Sequence, residues 1–208
     1  MNDEIIRHFE TTWKDYDAWY DRHPALYRTE LAALQRVVPS GMGLEIGVGT
    51  GRFAAPLGVG FGLDPAIRML RLAKARGLLV ARGRGERLPF KNGSFDFVQL
   101  VFVLEFVENL AAFLGEAART VRPGGALILG FIDRDSAWGR YYAGDPSHRR
   151  HFHPPSSGEL LDVLARIGLA FQDAYQVLFQ PPPDLLQEEV PRPGYGEGGF
   201  IALKAVKR

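Results

Sequence analysis

Three glycines at alternate positions, Gly47, Gly49 and Gly51, follow an acid, Glu45, in the stretch 43–51. Glycine reaches positive φ without strain, and without a Cβ it lets a ligand lie against the backbone. A short apolar run with Leu44 and Ile46 precedes the glycines, and the amphipathic stretch Arg52 to Leu57 follows. That order predicts a strand, a tight turn and the start of a helix. Such a turn at the carboxyl end of a strand is where open α/β sheets bind nucleotides. A second acid, Asp64, closes the next apolar run, 59–63. A carboxylate there can accept both hydroxyls of a ribose in charge-assisted hydrogen bonds. With Pro65 after it, the same residue also suits a helix N-cap.

Two nucleotide chemistries compete for this pattern. Gly49-x-Gly51-x-x-Ala54 fits the loose glycine fingerprint of nicotinamide-binding folds. Asp64, however, comes only 15 residues after Gly49, short of the roughly 20 that fingerprint expects. Counted from Gly47 instead, Arg52 stands in the last glycine place. A third feature, Leu88-Pro89-Phe90, follows a further apolar run. Glu45, the glycine turn, Asp64 and this Leu-Pro-Phe turn together resemble the class I S-adenosylmethionine (SAM)-dependent methyltransferases. The likeness is to the small-molecule type with an acidic-x-Gly-x-Gly-x-Gly loop, and it is close over roughly residues 40–133.

The resemblance implies SAM as cofactor. Gly47, Gly49 and Gly51 would let the backbone approach its amino-acid portion and ribose. Glu45 would organise the loop near the ligand's ammonium, and Asp64 would hold the ribose. Gly85 and Glu86 would border the adenine, and Val101 the methionine portion. Two positions depart from the family pattern. Arg84 stands where relatives commonly carry an acid, and Phe106 where they often carry a histidine. No catalytic base is therefore assigned; His151, Asp133 and Glu105 are weak candidates. Alignment of nucleophile, methyl carbon and sulfur supplies much of the barrier reduction without one. Tyr16 and Tyr20 near the amino terminus, with Trp138, Tyr141 and Tyr142, are the candidate substrate residues. His148, His151 and His153 read as a polar loop, so no metal is expected. The expected reaction is methyl transfer to a small molecule; the alternative is a SAM-binding protein without catalysis.

The totals agree with that reading. The chain has 208 residues and a net charge of +1 from 25 basic and 24 acidic side chains. That balance offers no field to draw nucleic acid or an anionic membrane. There is no cysteine, hence no disulfide frame or thiolate metal site. The acidic start, Met1 to Glu4, resembles no signal peptide. A cytoplasmic protein is expected.

The elements that must position these residues follow from hydrophobic period and punctuation. The spacing predicts helices over 3–21, 24–38, 52–57, 65–76, 110–121 and 157–167. Strands are predicted over 43–46, 59–63, 78–81, 95–101, 126–132, 171–179 and 199–206. Alternating strands and helices argue a doubly wound α/β domain. The expectation is one domain over 1–208, with a helical lid at 1–40 and a substrate-side insertion at 134–156. Its Rossmann-like sheet is expected to have seven strands, mostly parallel. The last strand would be antiparallel and inserted between the fifth and sixth.

Overall fold

The computed structural model describes residues 2–145, 152–183 and 187–208. The strands are β1 (Gly43–Ile46), β2 (Phe61–Asp64), β3 (Leu79–Arg82), β4 (Phe95–Val101), β5 (Val121–Ile132), β6 (Leu169–Val177), β7 (Arg192–Pro193) and β8 (Phe200–Lys207). They form one mixed sheet in the order β3-β2-β1-β4-β5-β8-β6-β7. The first five pair in parallel, and β8 runs antiparallel between β5 and β6. The sheet thus has eight strands rather than seven. The addition is β7, a two-residue piece paired with β6 at the edge. Its Pro193 suits only an edge, which is why no apolar run announced it.

Alternation along the strands divides the core into two layers. Leu127, Leu129 and Phe131 of β5 face one cluster, with Leu114 of α4 (Leu110–Thr120) and Leu160 of α6 (Ser157–Arg166). Ala126, Ile128 and Ile132 face the other. That second layer is covered by α1 (Asp3–Arg22), α2 (Pro24–Gln35), α3 (Ile67–Ala75) and α5 (Ala137–Gly144). Asn2 starts α1, its side chain accepting from the Ile5 amide at 3.0 Å. Pro24 at the first turn starts α2, where a missing amide costs nothing.

Three local expectations give way. Residues 52–58 are a chain of turns rather than a helix, because Gly51 and Gly58 at positive φ close it at both ends. The helix expected over 65–76 starts only at Ile67, because Asp64 holds the Ala66 amide in a turn ahead of it, and Ile67 itself is exposed. The polar stretch after β5 contains a helix, α5, started by Ser136, whose hydroxyl accepts from the Gly139 amide.

Strand order reverses between β1 and β4, which places a crevice beyond their carboxyl ends. No helix among the described residues is long and apolar enough to cross a membrane.

Candidate cofactor and acceptor site

The loop after β1 is locked to β2. Gly47 and Val48 both donate to the Leu63 carbonyl, at 2.8 and 3.0 Å. Gly47 and Gly49 hold φ of +73° and +52°, a region that other residues enter only with strain. A Cβ on Gly47 would stand 2.7 Å from Val103. The Gly49 amide donates to Asp64 Oδ2 at 3.0 Å, and the Ala66 amide to Asp64 Oδ1 at 2.8 Å. Asp64 is not the N-cap of α3, which is Ala66 with no side-chain cap; its carboxylate instead braces the turn before that helix and faces the glycine loop. Two of its roughly four acceptor sites stay open. Gly51 needs correction as a ligand contact. Its bare Cα faces Ala73 of α3 and Leu78, so the missing Cβ serves packing.

Glu45 lies inside the sheet on β1, where its carboxylate accepts from Gln99 Nε2 of β4 at 2.8 Å. Burial raises its pKa to about 8; the Gln99 bond opposes this and the charge of Asp64 adds to it. Asp64 is raised to about 6 by burial, against the pull of its two backbone donors. Gln99 Oε1 is buried with no partner among the described residues.

A narrow cleft continues from the loop, lined by Ile46, Leu63, Pro65, Gly85, Val103 and Phe113. Gly85 is obligatory there, since a Cβ would stand 2.4 Å from the Phe113 ring. Glu86 is exposed at the rim. Arg84, the departure noted in the sequence, pairs with Asp3 of α1.

Helix α1 lies across this mouth. Glu10 accepts from the Ile67 and Arg68 amides at the start of α3, at 2.6 and 3.2 Å. Asp17 pairs with Arg52 and Arg76, both at 2.9 Å. Burial alone would raise Asp17, but the two guanidinium groups prevail and hold it at about 2. The Tyr16 ring rests over Gly49, 3.6 Å from where a Cβ would be.

On the far side of Tyr16 the expected acceptor residues separate. Tyr20 is buried and donates to the Tyr16 hydroxyl at 2.9 Å. Tyr142 is half-buried, and Tyr141 is 41% exposed. Trp138 requires correction. It is fully buried, its Nε1 donates to the Gln180 carbonyl at 2.8 Å, and it fills the join between α5 and the sheet. Asp133 is likewise no free base. Its carboxylate accepts from the Asp135 amide, the Ser157 amide and the Ser157 hydroxyl, which ties β5 to α6. Glu105 is buried in the 3-10 turn Leu104–Phe106 and accepts from the Ile132 amide at 3.1 Å. His148 and His151 lie outside the described residues. Val101 is buried at the end of β4. The next residue, Phe102, holds φ of +51°, which a bulky side chain rarely tolerates and which marks strain at a site. Glu30, buried on α2, escaped the sequence reading. The signal was there: it is an acid one turn from both Leu26 and Leu34 on the apolar face.

Comparison with known proteins agrees with this geometry. The family model described as a methyltransferase domain matches residues 44–129. An uncharacterised protein of Methanocaldococcus jannaschii is 40% identical, over 96% of this chain and 98% of its own. A demethylmenaquinone methyltransferase of Roseiflexus castenholzii is 30% identical, over 82% of this chain and 74% of its own. Among solved structures, a SAM-dependent methyltransferase of Thermotoga maritima, a possible histamine N-methyltransferase, is 38% identical with a TM-score of 0.91. The match covers 96% of this chain and 98% of that one. A bare glycine loop under Tyr16, an acid at the end of β2 and matches of this extent have one common meaning: the chain belongs to the class I SAM-dependent methyltransferases.

Proposed function

We propose that the protein transfers the methyl group of SAM to a small organic molecule, seated between α1, α2, the turn after β4 and α5. The observation that carries this reading is the depth of the polar groups on that side. Tyr20, Glu30 and Glu105 are all buried, out of reach of a folded macromolecule's surface. Small-molecule sites are of this kind, apolar with a few placed polar groups. Histamine and demethylmenaquinone, the acceptors in the two relatives' names, are small molecules, which supports the reading. In it α1 is a lid, and α5 with residues 152–156 borders the acceptor side; residues 146–151 of the expected insertion lie outside the described residues. The test is incubation with labelled SAM and a screen of amines, phenols and carboxylic acids. Label is expected in the small-molecule fraction; label confined to protein or nucleic acid contradicts it.

The residues present suit SAM. The glycine loop leaves a cradle that a Cβ would fill, and Gln99 Oε1 is an orphaned acceptor beside Glu45. Bound SAM supplies a methyl group already activated on a sulfonium. The chain's part is to hold and align. Asp64 would accept the ribose hydroxyls, Glu45 and its neighbours would face the ammonium, and Gly85 and the cleft would take the adenine. Asp64→Ala is expected to weaken SAM by about 1.5–3 kcal/mol, the scale of hydrogen bonds to a charged group. Calorimetry on the folded variant checks it, and unchanged affinity removes Asp64 from the ribose site.

The two raised acids also fix a pH dependence. A cationic ligand with hydroxyl donors favours their ionised forms, so SAM binding is expected to release protons. Affinity should rise with pH through the lower value of about 6, and the rise should end at about pH 8, where the ligand's own α-ammonium loses its proton. Stability of the free protein runs the other way. An acid whose folded pKa lies above its unfolded value stabilises fully below the unfolded pKa, and that stability is lost as pH rises through the folded value. The free protein should therefore melt at lower temperature at pH 8 than at pH 5, with SAM offsetting the loss. Calorimetry in buffers of different ionisation enthalpy measures the proton release; proton uptake contradicts the assignment.

A further inference from the structure

Two carboxyl groups stand inside the acceptor side with no cation beside them among the described residues. Glu30 is 2% exposed and Glu105 0%. Glu105 Oε1 has the Ile132 amide, but Glu105 Oε2 and Glu30 Oε2 are buried with no hydrogen-bond partner among the described residues. Among the described residues no Arg, Lys or His contributes to the charge balance of either. A buried carboxylate in that state is costly, and the cost is relieved by a proton or by a cation that comes from elsewhere. In the free protein the proton serves. Burial lifts Glu105 to about 7 and Glu30 well above the usual carboxylate range, with Glu105 repelling it further.

The surroundings select the sign of the missing partner. Edge-on rings run from Tyr20 to Tyr16 at 5.4 Å, Tyr16 to Phe9 at 5.7 Å and Phe9 to Phe106 at 5.5 Å. They continue from Phe106 to Phe152 at 5.9 Å and, tilted, from Phe152 to Tyr142 at 5.4 Å. Both ends of this arc, Tyr16 with Tyr20 and Tyr142, would feel the charge of an ionised Glu30. Leu26 and Leu34, one turn either side of Glu30, lie in the same apolar cluster as Ile132, whose amide holds Glu105. Ring faces and carboxylates both attract cations, and neither attracts an anion. Tyr16 links the two sides: its ring rests over Gly49, whose amide holds Asp64, and its hydroxyl accepts from Tyr20.

We propose that Glu30 and Glu105 seat a protonated amine, and that the methyl acceptor is a primary or secondary amine. This rests on the small-molecule reading above. Glu105, its Oε1 fixed by the Ile132 amide, presents Oε2 to the substrate. One N–H proton of the ammonium passes to that carboxylate, leaving a lone pair on nitrogen. The lone pair forms the bond to the methyl carbon as the C–S bond breaks, with its electron pair kept by sulfur. The product is the methylated ammonium, and its positive charge again faces the pair. In the family's histidine place stands Phe106, which contributes a ring wall rather than a base.

Calorimetry on the protein loaded with S-adenosylhomocysteine tests the seat without turnover. The probes are phenethylamine and putrescine, with 2-phenylethanol and 1,4-butanediol as their neutral counterparts. At least one amine is expected to bind about ten-fold or more tightly than its alcohol. Glu30→Gln and Glu105→Gln should each remove that preference while S-adenosylhomocysteine affinity stays put. Glu30→Asp, which keeps the charge but withdraws it, should retain a weaker preference and covers the case of a Gln variant that fails to fold. Amine and alcohol binding alike, or a preference that survives both Gln variants, overturns the proposal. Turnover separates the two levels of inference. Methylation of phenols or carboxylic acids with no amine accepted keeps the small-molecule reading and overturns this one; label only in macromolecules overturns both.

Discussion

Trp138→Ala is expected to cost about 3–5 kcal/mol of folding stability, the range for truncating a large buried aromatic. The indole is 1% exposed. It packs so closely on the residue before β8 that a Cβ on Gly199 would stand 2.4 Å from Cδ1. Its Nε1 donor is spent on the Gln180 carbonyl at 2.8 Å. The truncation leaves a cavity between α5 and β8 that the sheet cannot close, and an acceptor without its donor. Against a total of about 5–15 kcal/mol, such a loss is a large share. Urea denaturation measures it as a fall in midpoint at unchanged slope. A variant of unchanged stability with altered methyl transfer would return Trp138 to the acceptor pocket.

Trp138 shows where sequence reading reached its limit. The parallel half of the sheet was legible because apolar runs of four to seven residues were punctuated by glycine, proline and acids. The glycine loop was legible for a different reason: positive φ at alternate residues leaves few alternatives to glycine. Asp64 could be placed because it ends an apolar run, and the structure then gave it two backbone donors. The acceptor side had no such markers. Helix α5 contains Gly139 and Gly144 in eight residues, so its propensity is poor and Ser136 must start it. Aromatics there could not be sorted into pocket and core, since both uses favour the same residue types. Gly51 was grouped with its neighbours by spacing, although its open side faces α3. For Glu30 two signals conflict: its charge argues for solvent, while its spacing from Leu26 and Leu34 puts it on the buried face of α2.

Gly49→Val is expected to abolish measurable SAM binding, a loss beyond about 100-fold or 2.7 kcal/mol. Three physical effects add. The backbone at φ of +52° accepts an L side chain at a cost of about 1–2 kcal/mol, and β-branching makes that worse. The Cβ itself would meet Tyr16 Cε1 at 3.6 Å, an ordinary contact, but the two methyl groups beyond it enter the space between loop and ring. Any retreat of the loop also draws the Gly49 amide from Asp64, which loses the donor that aims it. The fold should persist, because Gly47 and Val48 still donate to Leu63 and the loop lies beyond the carboxyl end of β1, outside the strand pairing. Gly49→Ala isolates the strain from the bulk and should bind SAM more weakly than wild type but measurably. Gly58→Ala is the control. It has φ of +71° with nothing within 4 Å of a Cβ, so it carries the strain away from the cofactor. Gly58→Ala should lose stability and keep SAM affinity. Equilibrium dialysis with labelled SAM reads all three variants. Normal binding by folded Gly49→Val would mean that the loop after β1 does not cradle the cofactor.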